Sequence, residues 1–184
     1  MRLYEYISQG GPIMYFLVIM NIVGIALIFW KFFEILKIKN ENDNVISNVL
    51  GQLKTVSNET SDVKVTVAKD LISSELSKVE KGLSTIKIIA SIAPLIGLLG
   101  TVVGILSAFR VIADKGLSDP SLFAGGISVA LITTVGGLIV AIPHFVGYNY
   151  LSSLLDRIEI DIERKVIHSI FGGKSWVKDQ KEST

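Results

Sequence analysis

Thr101 and Thr134 are hydroxyl side chains near the middle of two long apolar stretches of this sequence. A threonine hydroxyl donates one hydrogen bond and accepts two, so it can hydrate a passage or orient a proton. It cannot bind and release a proton in the useful pH range. No Asp, Glu, Lys or Arg lies within 12–30, 88–109 or 122–148. Proton-driven membrane machines generally carry an ionisable group at membrane depth. If proton movement is the work done here, the carboxylate has to come from another polypeptide. His144 can titrate, but it stands beside Pro143 near one end of its stretch. His144 and His168 are too far apart in sequence to suggest a His-built metal site, and with no cysteine there is no Cys-based metal or redox centre. Nothing in the chain has the pattern of a catalytic triad or a P-loop, which points away from an enzyme and from a bound cofactor.

The elements that would position the threonines are helices. Set at 100° per residue, Ala93, Pro94, Gly97, Gly100, Thr101, Gly104, Ser107 and Ala108 fall within about 140° of arc, and large aliphatic residues take the rest. Gly126, Ala130, Thr133, Thr134, Gly137 and Ala141 share about 100° of a second helix. A small-residue face permits close approach of another helix, or it forms the wall of a narrow lumen. Thr101 and Thr134 are expected as polar lumen-lining residues. Pro94, Gly97, Gly104, Ala130, Thr133, Gly137 and Ala141 are expected either to line a lumen or to pack closely. Thr101 sits about 20 Å along its helix from Lys87, and Thr134 near the centre of its own stretch, so both belong near the bilayer midplane. The competing use of a helical threonine is a bond to its own i−4 carbonyl. Pro94 and Pro143 each remove a backbone donor, which frees the carbonyls of Ala90 and Ile139 and favours kinks.

The composition fits a small membrane protein. Of 184 residues, 49% are hydrophobic, and they are concentrated in three blocks. The net charge of +1 lacks the basic excess of a nucleic-acid binder. The fold expected is all-α and integral to the membrane, with three transmembrane helices and long cytoplasmic helical extensions. Residues 1–11 form an interfacial N-terminus with Tyr4 and Tyr6 as anchors, and 12–30 the first span, too long in its apolar core for a cleaved signal peptide. Mid-span, Asn21 suits an interhelical hydrogen bond.

Residues 31–87 read as a helical hairpin. Val45, Ile46, Val49, Leu50, Leu53 and Val56 keep helical spacing, and residues 58–62 break it. Ala68, Ile72, Leu76, Val79, Leu83 and Ile86 then form a seam running straight into the second span, 88–109. A link covers 110–121, with Asp119 as N-cap and Pro120 at the first helical position. The third span, 122–148, continues into a helix through Leu151, Leu154, Leu155, Ile158, Ile162 and Val166, and the residues from 172 on read as a mobile tail. Lys and Arg number fifteen in 31–87 and after Tyr148, against three in the N-terminus and link. That asymmetry puts the N-terminus and link outside and the hairpin and C-terminus in the cytoplasm.

Two stretches carry a resemblance. A-S-I-A-P-L-I-G-L-L-G-T-V-V-G-I-L-S-A-F (90–109) and G-I-S-V-A-L-I-T-T-V-G-G-L-I-V-A-I-P-H-F-V-G-Y-N (126–149) are similar to the two signature spans of the MotA/TolQ/ExbB proton-channel family. G-G-P-I-M (10–14) and the three-span layout resemble its ExbB/TolQ branch, whereas the flagellar branch has four spans. The resemblance implies a homopentamer in the bacterial inner membrane around the helices of an ExbD/TolR-type partner bearing an intramembrane aspartate. It implies that Thr101 and Thr134 face the lumen beside that aspartate. Passage of H+ would then drive TonB- or TolA-type work in the periplasm. Many members carry a glutamate where this chain has Val129, so any charge coupling served by that glutamate is absent or supplied otherwise. A self-sufficient homo-oligomeric channel built on polar rings and a non-conducting membrane scaffold are the readings of other classes.

Overall fold

The computed structural model describes residues 3–53, 60–116 and 120–171. Among them the chain forms α1 (Leu3–Gln9), α2 (Gly11–Asn40), α3 (Asn42–Leu53), α4 (Ser61–Lys115) and α5 (Ser121–Ile170). The all-α expectation holds, and α2, α4 and α5 are long and apolar enough to cross a membrane. At 1.5 Å per residue α4 runs about 80 Å, far more than the roughly 30 Å hydrocarbon core. Most of such a helix must therefore serve something other than spanning.

The turns follow from local chemistry. Gly10 donates its N–H to the Tyr6 carbonyl at 3.0 Å, and Gly11 takes a φ of +63°, which lets a new helix start at once. Gly116 closes α4 in the same left-handed way, at φ +78°, with its N–H on the Ile112 carbonyl at 2.8 Å. α5 starts one residue later than expected. The Pro120 carbonyl accepts from Ala124 N–H at 3.2 Å, which is the acceptor role of an N-cap, so proline precedes the helix instead of opening it. Asp119, its expected cap, lies outside the described residues, as do Val56 of the expected first hairpin arm, Asn58 and Glu59 of the expected break, and the tail beyond Phe171. The Thr60 carbonyl accepts from Lys64 N–H at 3.1 Å and so starts α4.

The chain divides into two compact units. One comprises residues 1–31 and 82–150. Its core is Met14 and Leu17 of α2, Ile89 and Ala93 of α4, and Val140 and Ala141 of α5. Leu95, Leu98, Leu106, Leu131, Val135 and Ile139 point outward. A large apolar exterior is what a lipid environment requires.

The other unit comprises residues 32–81 and 151–184. Here Ala68, Ile72, Leu76 and Val79 are buried, as the seam predicts, and its continuation, Leu83 and Ile86, is buried in the first unit. Leu151, Leu155, Ile158, Ile162 and Val166 supply the facing stripe, and Val49 and Leu53 of α3 are buried as well. Asn42 Nδ2 donates to Asp161 at 3.5 Å, and Asp161 also pairs with Lys165 at 3.0 Å.

Glu159 carries a testable cost. Partial burial, then repulsion from Glu163, Asp156 and Glu80, raises its pKa above the ordinary glutamate value. An acid raised on folding favours the folded chain less once it ionises. The penalty is absent below the ordinary pKa and sets in as pH rises from there through the folded-state value. Glu159→Gln should therefore be more stable than the parent at neutral pH, with the difference vanishing in acid. Thermal melts of both proteins across that window check the sign.

Candidate functional site

The small residues of α4 and α5 meet each other. Ala93, Gly97, Gly100, Gly104 and Ala108 are buried on α4, and Ala130, Thr133, Gly137 and Ala141 are buried on α5, with Gly126 half-buried. The register is antiparallel, since Gly137 meets Ala93 while Gly126 meets Ala108. Backbone lies against backbone along this seam. A Cβ on Gly97 would stand 2.8 Å from the Thr133 carbonyl oxygen, and one on Gly104 2.7 Å from that of Gly126. On Gly137 it would stand 2.6 Å from the Ala93 carbonyl oxygen. Only glycine allows that approach, which is how helices gain dispersion contact when the solvent is itself apolar. Gly97, Gly104, Ala130, Thr133, Gly137 and Ala141 thus pack closely within one chain.

Thr101 and Thr134 stand one position off the seam on their respective helices. Both are half-buried, where Thr133, on the seam, is fully enclosed against Gly100. The structure brings the two together: their hydroxyls are hydrogen-bonded across the α4–α5 contact. Thr101 Oγ1 lies 3.0 Å from the Ala130 carbonyl oxygen of the other helix and 3.3 Å from its own i−4 carbonyl, Gly97. Thr134 Oγ1 lies 3.4 Å from the same Gly97 carbonyl. The cross-helix bond of Thr101 is therefore shorter than the local one that competes with it. Thr133 satisfies itself locally, on Val129 and Ala130 carbonyls at 3.0 Å. Pro94 is half-buried one position off the seam, within a continuous α4. Val129 is half-buried, and its aliphatic side chain brings no charge to this position.

Two polar residues of the spans have surroundings that the sequence did not anticipate. Asn21 was expected to bond to a neighbouring helix, yet its Oδ1 is buried without a partner. Its setting is a largely apolar groove of about 610 Å³ lined by residues such as Leu17, Val18, Ile139 and Val140, in which Tyr6 is the other side chain able to donate, and the Asn21 oxygen is not bonded to it. His144 is fully buried, with Nδ1 2.6 Å from the Val140 carbonyl oxygen, and its ring abuts Gly24 of α2. Glycine at position 24 makes room for the imidazole, and no sequence signal linked the two.

Chemically, the arrangement is a pair of hydroxyls and two helix carbonyls at the edge of a close-packed seam, in a unit whose spans hold no acid or base other than one enclosed histidine. Such a cluster can hydrate and orient a proton carrier supplied from elsewhere. No group of three or more His, Cys, Asp or Glu side chains converges among the described residues.

Known proteins are similar to this chain. Residues 37–164 match the model of the MotA/TolQ/ExbB proton channel family. An ExbB homologue of biopolymer transport from Methanothermobacter thermautotrophicus is 37% identical over 129 residues, 70% of this chain and 45% of that protein. The biopolymer transport protein ExbB of Aquifex aeolicus is 48% identical over 71 residues, 39% of this chain and 48% of its own length. The Tol-Pal system protein TolQ of Haemophilus influenzae is 39% identical over 87 residues, 47% of this chain and 38% of its own. The chain thus spans less than half the length of each. The family model covers both cross-braced helices and the threonine pair between them, and with its three apolar helices the chain is a multi-pass membrane protein that belongs to the MotA/TolQ/ExbB proton channel family, in the ExbB/TolQ branch.

Proposed function

We propose that this chain is the channel-forming stator subunit of a proton-motive-force-driven complex in the cell inner membrane, of ExbB type, energising TonB-dependent import across the outer membrane. Copies of the chain, five in this reading, surround the single-span helix of an ExbD/TolR-type partner. The N-terminus faces the periplasm and the C-terminus the cytoplasm, in keeping with the fifteen-to-three asymmetry of Lys and Arg.

The observation that carries the proposal is the joined Thr101–Thr134 pair, half-open near mid-span between spans that carry no carboxylate of their own. A hydroxyl pair cannot carry charge across a membrane alone. Beside a partner's carboxyl it can, because the acid binds and releases H+ while the hydroxyls keep it hydrated and oriented. Val129 leaves the chain without the glutamate many relatives carry, so the partner's aspartate is the titrating acid at this depth. The ExbB reading is preferred to TolQ-type envelope maintenance because relatives aligned over more than half of this chain are described as ExbB or an ExbB homologue.

Purification from native membranes tests it. The expected result is a homo-oligomer that retains a smaller amount of a single-span protein with one intramembrane Asp. A homo-oligomer that is recovered alone and conducts by itself would overturn the proposal in favour of a self-sufficient channel.

A further inference from the structure

The direction of the hydrogen bonds at the threonine pair says which form of an acid it can receive. Two hydroxyls bring two hydrogens and four lone pairs. One hydrogen is used between the hydroxyls themselves. The other has a helix carbonyl within reach in either arrangement. If Thr134 donates to Thr101, then Thr101 donates to the Ala130 carbonyl at 3.0 Å. If Thr101 donates to Thr134, then Thr134 donates to the Gly97 carbonyl at 3.4 Å. Both arrangements consume both hydrogens inside the chain and leave only lone pairs to face outward. The first has the shorter outgoing bond and leaves both lone pairs of Thr134 open.

We infer that the Thr101–Thr134 pair is an acceptor-only site that receives a protonated carboxyl, as a hydrogen-bond donor, in preference to a carboxylate. It rests on the acid-bearing partner proposed above and adds the polarity of that contact. To donate to a carboxylate, either hydroxyl would have to give up its bond to a helix carbonyl or to its twin. The pair therefore stabilises the neutral acid and favours loading of the proton over its release. Thr134 is the principal acceptor, and Thr101 holds it in that polarity.

The test is a titration of the partner's carboxyl in the purified complex, read from the infrared carbonyl band of the protonated acid. Thr134→Val removes the acceptor while keeping the β-branched shape, and should lower the midpoint by about 0.4–1 pH unit, the equivalent of one net hydrogen bond. Thr101→Val should lower it less, and Thr134→Ser should restore the parental midpoint. A rise in the midpoint would mean that the hydroxyls donate to the carboxylate, and an unchanged midpoint that they do not touch it. Either result, in a complex that still contains its partner, overturns the acceptor assignment alone. Failure to recover any acid-bearing partner overturns the assignment together with the functional reading beneath it.

Discussion

Thr134→Val in the assembled complex should reduce proton-driven flux to a few per cent of the parental rate or less, while the oligomer assembles normally. The two halves of this expectation have different physical origins. Valine has nearly the same shape as threonine, and Thr134 lies one position off the seam, so no backbone contact has to move. The chain loses one hydroxyl–hydroxyl bond, a net cost of about 0.5–1.5 kcal/mol, too little to unfold a membrane unit held by the whole α4–α5 contact. The transported proton is affected far more. Losing the acceptor for the partner's protonated acid costs about 0.5–1.5 kcal/mol, or roughly 2- to 10-fold in rate, and the methyl also dewets the point where the proton is handed on, which multiplies the loss. Flux is read as pH decay inside proteoliposomes of the complex, and assembly by native mass spectrometry of the same preparation. Parental flux in both Thr134→Val and Thr101→Val would reduce the pair to helix packing.

How much of this was readable from the sequence differs from residue to residue. The seam was readable because its periodicity is carried by residue size. Positions 93, 97, 100, 104 and 108 step by 4, 3, 4 and 4, and 126, 130, 133, 137 and 141 repeat the same steps. What spacing alone could not give is that the two faces meet each other inside one chain, because a small face fits any close neighbour. The joining of Thr101 to Thr134 depends on that register, and a slip of one turn would have left each threonine on its own i−4 carbonyl. The same limit explains Asn21. An asparagine in a span calls for a partner, but only the rotation of α2 shows that the apolar wall of a groove faces it. Gly24 and His144 lie 120 residues apart, and the cavity one makes for the other has no periodic trace. In the second unit the long helices were clear from their stripes, Ala68 to Val79 and Leu151 to Val166. The separation of α3 from α2 at Glu41 was not, since Asn40–Asn42 carries no glycine or proline.

The seam itself should be the most sensitive part of the fold, and two alanine substitutions in α5 separate close approach from helix propensity. Gly137→Ala puts a methyl 2.6 Å from the Ala93 carbonyl oxygen and 3.0 Å from Gly97 Cα. Both are backbone atoms, so no side chain can turn aside, and the helices must separate by several tenths of an ångström or more. Separation lengthens every contact on the seam, from Gly104–Gly126 to the threonine bridge, and the expected loss is about 1–3 kcal/mol of stability. Gly125→Ala is the same chemical change in the same helix, but its methyl meets nothing within 4 Å. It should be neutral, or stabilising by up to about 1 kcal/mol through better helix propensity. Leucine at 137 extends the argument: its branched side chain has no space between the two backbones, and the unit should fail to fold. Denaturant titrations of the alanine variants in the same detergent, followed by helical ellipticity, give the two signs. Equal effects at 125 and 137 would mean that α4 and α5 do not touch backbone to backbone. Opposite effects would place the close contact where the threonine pair needs it, since helices held this near are what bring Thr101 within 3.0 Å of the Ala130 carbonyl.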